Sequence, residues 1–102
     1  MHYTIVSGTK EYILVTVGDR LEDVDDITSL SPTFSVYDPN DIQKQTDVVA
    51  QVDTDNKLIA KCLVDTTVGG NWPSNIYRLY LKLVANPEVP VLGPVPFKVE
   101  SI

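Results

Sequence analysis

The sequence predicts an all-β domain made of two antiparallel sheets. Apolar and polar residues alternate at period two along several runs, most clearly over Lys57–Asp65 and Ile76–Val84. Turn-forming residues interrupt these runs at roughly ten-residue intervals, the rhythm of short strands in an all-β fold. No stretch sustains apolar residues at helical spacing. With 102 residues, 43% of them hydrophobic and 22% charged, the chain is expected to form one domain over residues 1–102.

Taken in order, the first element is a short strand within His2–Ser7, followed by a tight hairpin connection at Ser7-Gly8-Thr9-Lys10. Glu11–Val17 reads as a strand that is apolar on both faces, so its register cannot be read. Leu21–Leu30 is the one place for a helical turn, but its acids leave no sustained apolar face. Thr33–Asp38 places Phe34 and Val36 inward and ends in a turn at Asp38-Pro39-Asn40-Asp41. Thr46–Asp53 reads as one strand with Val48, Ala50 and Val52 inward, joined to the next by a hairpin at Asp53-Thr54-Asp55-Asn56. In Lys57–Asp65, Leu58, Ala60, Cys62 and Val64 share a face, and a longer loop follows at Val68-Gly69-Gly70-Asn71. Ile76–Val84 turns Tyr77, Leu79, Leu81 and Leu83 one way and Arg78, Tyr80 and Lys82 the other. Val95–Ser101 closes the set with Val95, Phe97 and Val99 inward.

About seven strands at this spacing in about a hundred residues match an immunoglobulin-like two-sheet antiparallel β-sandwich. The core is expected to hold Leu58, Val64, Leu79, Leu81, Phe97 and Val99. The disulfide and the strand-borne tryptophan of antibody domains are missing, because Cys62 is the only cysteine and Trp72 sits in a loop. Tyr77 opens the penultimate strand after a glycine-containing loop, where a tyrosine corner would tie its hydroxyl to upstream backbone.

Eight basic against fourteen acidic residues give a net charge of −6 and a pI near 4.4. That balance argues against nucleic acid and anionic membrane as partners. Met1-His2-Tyr3-Thr4 lacks the basic and apolar regions of a signal peptide, so synthesis in the cytoplasm is expected. The longest mainly apolar run, Ile76–Ala85, carries Arg78 and Lys82 and is far shorter than the ~20 residues of a membrane helix.

Chemistry finds few footholds. His2 is the only histidine and lies at the terminus, so a catalytic relay or a multi-histidine metal site would have to be built around a chain end. Cys62 falls on an inward strand face, where a thiol is a small buried apolar side chain. With no CxxC, HExxH or Walker loop, no enzymatic activity, small-molecule substrate, cofactor or metal is expected. Asp19, Glu22, Asp23, Asp25 and Asp26 gather five acids in eight residues, opposed only by Arg20. They form a solvated acidic loop, a docking surface for a basic partner, or a hard-cation site, although the spacing does not fit an EF-hand. Pro87, Pro90, Pro94 and Pro96 stiffen the segment Asn86–Pro96, which either only joins two strands or presents Val89, Val91 and Leu92 as a preorganised contact loop. Trp72, beside Gly69-Gly70 and Pro73, is either a lid over one end of the core or an interface anchor.

The wording Cys62-Leu63-Val64-Asp65-Thr66-Thr67-Val68-Gly69-Gly70-Asn71-Trp72-Pro73-Ser74, then Tyr77-Arg78-Leu79-Tyr80-Leu81-Lys82, then Pro87-Glu88-Val89-Pro90-Val91-Leu92-Gly93-Pro94 and Phe97-Lys98-Val99, resembles small virion structural proteins of tailed, actinobacterial-type bacteriophages. The likeness extends more weakly to Phe34-Ser35-Val36-Tyr37-Asp38-Pro39. Ser74-Asn75-Ile76 departs from the glycine expected just before the tyrosine. The resemblance implies a non-enzymatic β-sandwich made in the host cytoplasm and assembled in many copies into the virion. Its place would be a minor capsid or decoration protein on the head, or else a neck, connector or tail accessory, with capsid or neck proteins as partners. A carbohydrate- or receptor-binding β-sandwich module is the alternative from a different class.

Overall fold

Strand formation follows the alternation. In the computed structural model, which describes residues 3–17, 26–85 and 89–101, eight strands are present. They are β1 (Tyr3–Val6), β2 (Lys10–Thr16), β3 (Pro32–Tyr37), β4 (Gln43–Val49), β5 (Gln51–Val52), β6 (Ile59–Asp65), β7 (Asn75–Leu83) and β8 (Val91–Glu100). Among the described residues a 3-10 turn at Thr28–Leu30 falls where the sequence allowed a helical turn. His2 and the start of the expected Leu21–Leu30 turn lie outside the described residues.

One sheet has five strands in the order β1-β8-β7-β3-β4, and the other has three in the order β2-β6-β5. Their inner faces share one apolar cluster, so the sheets pack face to face. From the five-stranded sheet come Ile5, Phe34, Val36, Tyr77, Leu79, Leu81, Leu83, Phe97 and Val99, and from the other Ile13, Val15, Ala60, Cys62 and Val64. Five of the six expected core residues are buried; Leu58 is half-buried against the cluster, in the turn before β6. In β2 the unreadable register resolves with Ile13 and Val15 inward and Tyr12 and Leu14 outward.

Three expectations about connectivity are corrected. Ser7–Lys10 is a tight turn, closed by the Thr9 amide on the Val6 carbonyl at 3.2 Å, but not a hairpin. It throws the chain from one sheet to the other, so β1 pairs parallel with β8 and the architecture is not purely antiparallel. The stretch read as one strand over Thr46–Asp53 is two. Asp47, at φ 48°, is the extra residue of a bulge, and it puts Gln45 and Val48 on the inner side although they are three apart. After it the chain crosses at buried Ala50, and β5 pairs with β6 in the opposite sheet. Finally, β8 starts at Val91, so the second half of the proline segment is strand rather than loop. Pro94 and Pro96 sit there because their missing N–H groups fall where the ladder with β7 is irregular or unused. Gly93, at φ 130°, faces that irregularity; a Cβ there would lie 2.8 Å from the Leu79 carbonyl oxygen.

Two polar side chains are buried within this frame. The Thr66 hydroxyl accepts from the amides of Gly8 (2.9 Å) and Thr9 (3.1 Å) and donates to the Thr9 carbonyl at 2.7 Å. Gln45 on β4 reaches β6, donating to the Leu63 carbonyl (3.4 Å) and accepting from the Asp65 amide (3.1 Å). The Tyr77 hydroxyl donates to the Pro73 carbonyl at 2.8 Å, the upstream tie expected of that residue.

Two expected outcomes test this description. Leu81 is fully enclosed between the sheets, so Leu81→Ala should cost about 2–5 kcal/mol in chemical denaturation. Tyr77→Phe removes one hydroxyl and leaves the Pro73 carbonyl unpaired; its loss should be smaller, about 1 kcal/mol, by the same measurement.

Candidate functional site

The register of the five-stranded sheet decides which side chains meet on its outer face. Tyr37 pairs with Arg78, Ser35 with Tyr80 and Thr33 with Lys82 across β3 and β7, while Lys82 pairs with Val91 across β7 and β8. Because Ser35 is small, the face dips between its larger neighbours. The result is an open groove of about 430 Å³, walled by Tyr37, Tyr80, Gln43, Asp47, Lys82 and Val91.

The groove walls are braced. The Tyr37 and Tyr80 rings meet edge to face with centroids 5.6 Å apart. Gln43 donates its amide to the Tyr37 hydroxyl at 2.7 Å. At the bulge, the Asp47 amide donates to the Ser35 hydroxyl at 3.0 Å, and the Asp47 carboxylate lies 3.7 Å from the Lys82 ammonium. One end is held by Arg78, whose guanidinium pairs with the Asp41 carboxylate and donates to the Asp38 carbonyl at 3.2 Å. Asp41 raises the Arg78 pKa further above its ordinary value. The turn that carries Asp41 is itself fixed, since the Asp38 carboxylate accepts from the amides of Asn40 (2.8 Å) and Ile42 (2.9 Å). The face therefore presents aromatic rings and two ion pairs, Arg78–Asp41 and Lys82–Asp47, on rigid strands, with little to order on binding.

The residues singled out from the sequence fall in different places. Asp19, Glu22, Asp23 and Asp25 lie outside the described residues. Asp26 is exposed and accepts from the Thr28 amide at 2.8 Å; hydrogen bonding from Thr28 holds its carboxyl below the ordinary range, as suits a residue fixing the 3-10 turn. Trp72 is 1% exposed, which removes it as an exposed anchor and makes it the lid. It stacks on Tyr77 at 5.1 Å, which stacks on Phe97 at 5.9 Å, and its indole donates to the Val68 carbonyl at 2.9 Å. The glycine loop before it supplies that carbonyl, so the partner of the indole is local. Leu92, at 8% exposure, pairs with Leu81 and joins the core, so it is not a contact residue. Val89 and Val91 are exposed, at 42% and 57%, and of the expected contacts among the described residues only Val91 borders the groove.

Sequence reasoning passed over Tyr37, Tyr80, Arg78 and Lys82 as merely outward. The signal was there: Tyr37 two residues from Ser35 on β3, and three large side chains at alternate positions on β7. Among the described residues, no three His, Cys, Asp or Glu side chains are grouped to hold a metal ion, and no helix is long and apolar enough to cross a membrane. Burial pushes the Cys62 thiol up to about 12, so it carries no thiolate at neutral pH. No family model, curated protein or solved structure matches this chain.

The state of Cys62 is directly measurable. Alkylation of the native protein at neutral pH should be undetectable and should appear in step with unfolding as denaturant is added. Modification at the rate of a free thiol before unfolding would contradict the burial.

Proposed function

We propose that the chain is a non-enzymatic structural module of a tailed-phage particle, with immunoglobulin-like connectivity, that docks onto the capsid through the outer face of its five-stranded sheet. Decoration of the head is the first placement and the neck the second. The connectivity is supported by the strand order β1-β8-β7-β3-β4 over β2-β6-β5 and by the Tyr77 tie to Pro73. The phage placement rests on the resemblance of the strand and loop wording from Cys62 to Val99.

The observation that carries the docking role is the gathering of Tyr37, Tyr80, Arg78 and Val91 on one braced face. Tyrosine and arginine are the residue types that concentrate binding energy in protein interfaces, and Val91 adds an apolar contact from the proline-stiffened strand. The face mixes Arg78 and Lys82 with Asp41 and Asp47, so it suits a partner surface of mixed charge.

Mass spectrometry and imaging of purified particles test the placement: the protein should be present in many copies with this face against a shell protein. Absence from the particle refutes the placement, and a solvent-facing groove refutes the contact. Tyr80→Ala, with folding verified, should lower capture on shells lacking the protein by about tenfold or more.

The same groove favours a second reading, a glycan-binding module, because tyrosine rings beside Gln43, Asp47 and Lys82 suit a sugar ring. Glycan binding by the isolated chain that is lost with Tyr80→Ala would select it.

A further inference from the structure

The fold leaves four strand edges, and three of them are blunted. β1 is four residues long, β5 only two, and β4 is kinked by the bulge at Asp47. β2 is different: seven residues in unbroken register with β6, from Lys10↔Asp65 to Thr16↔Ile59, without proline or bulge.

Its hydrogen-bonding directions follow from the bonds at its two ends. The Val17 amide donates to the Leu58 carbonyl and the Thr66 amide to the Thr9 carbonyl, so the odd-numbered residues face β6. The backbone groups of Lys10, Tyr12, Leu14 and Thr16 therefore point away from it. Among the described residues their one partner is the Tyr3 hydroxyl, which donates to the Leu14 carbonyl at 3.3 Å and leaves that oxygen a second lone pair.

We infer that β2 is a pairing edge for β2 of a second copy of this chain, the two strands running antiparallel about a two-fold axis at Ile13. The argument for a second copy is self-complementarity. Only even-numbered residues can exchange bonds across this edge, and the axis at Ile13 pairs Tyr12 with Leu14, Leu14 with Tyr12, and Lys10 with Thr16. On the outer face each row then runs Leu63–Tyr12–Leu14–Lys61 across the four strands, given Tyr12↔Leu63 and Leu14↔Lys61 within each copy. Apolar side chains meet at the centre, where Tyr12 and Leu14 are 42% and 45% exposed in the single chain. Lys61, already 5.0 Å from the Tyr12 ring centroid, stays at the flank, and no like charges stand opposite each other. A shift by two residues either way opposes Tyr12 to itself or Leu14 to itself, and leaves a terminal pair unmade. The product is a six-stranded sheet with a closed, isologous interface. This inference is independent of the virion reading.

Sedimentation equilibrium of the purified full chain over a concentration series should show a monomer–dimer equilibrium. Leu14→Lys should weaken it about tenfold or more, whereas Val91→Lys, on the opposite sheet, should leave it unchanged. The double variant Tyr12→Cys/Leu14→Cys should form interchain disulfides on oxidation, because directly opposed positions in a hydrogen-bonded pair lie about 5.5 Å apart between Cα atoms. Neither single cysteine variant should do so, since each faces a different residue in this register. Should Leu14→Lys fail to fold, the cysteine variants decide alone. A chain that is monomeric at every concentration, a dimer indifferent to Leu14→Lys, or crosslinking by a single variant as readily as by the double overturns the proposal.

Discussion

The hydroxyl of Thr66 is the constraint on which the arrangement of the two sheets depends. It is fully enclosed, and it uses its whole capacity: two lone pairs for the Gly8 and Thr9 amides, one proton for the Thr9 carbonyl. Those bonds hold the turn between β1 and β2, while the Thr66 backbone carbonyl accepts from the Trp72 amide at 2.9 Å. One residue thus fixes both places at this end where the chain passes between sheets. A valine of the same shape would fill the space but take the hydroxyl from the Gly8 amide and leave the Thr9 amide and carbonyl with only their backbone partners, Val6 and Thr66, at about 1 kcal/mol for each bond lost.

From that anchor the rest follows by packing. Trp72 is seated over Tyr77 and Phe97, which closes one end of the core and sets where β7 begins. Gln45 performs a comparable service on the flank, tying β4 to β6 just before the chain leaves the larger sheet at Ala50. With the inner faces held this way, the outer face of the five-stranded sheet needs no flexible part to keep its shape. Its groove is a product of register, with Ser35 placed between tyrosines by a ladder that the core holds in place.

The inward faces of β3, β6, β7 and the end of β8 were legible because each buries one side only, and period two then shows directly in the residue types. β2 was opaque since Tyr12 and Leu14 are apolar yet outward. The division at Ala50 was hidden for a different reason. A bulge adds one residue without changing composition, and Asp47 in a left-handed conformation looks like any strand aspartate. Trp72 was read as lid or anchor because burial of a loop indole depends on whether a carbonyl waits for its N–H, and only the fold of the glycine loop turns the nearby Val68 carbonyl toward it. The groove escaped notice because it belongs to no segment. Its walls come from four strands and a turn whose neighbourhood is set by strand order rather than by sequence distance.

The pairing of β1 with β8 joins residues from the two ends of the described chain, Tyr3 beside Phe97 and Val6 beside Glu100. β8 is also the ladder partner of β7, so it is the one strand that links the opening of the chain to the centre of the larger sheet. During synthesis β1 consequently waits for its ladder partner until β8 has left the ribosome. The β3–β4 and β5–β6 hairpins can form earlier, from contacts closer along the chain. Topology of this kind, dominated by long-range pairings, places the molecule among slow-folding domains, with the β1–β8 pairing spanning nearly the whole described chain.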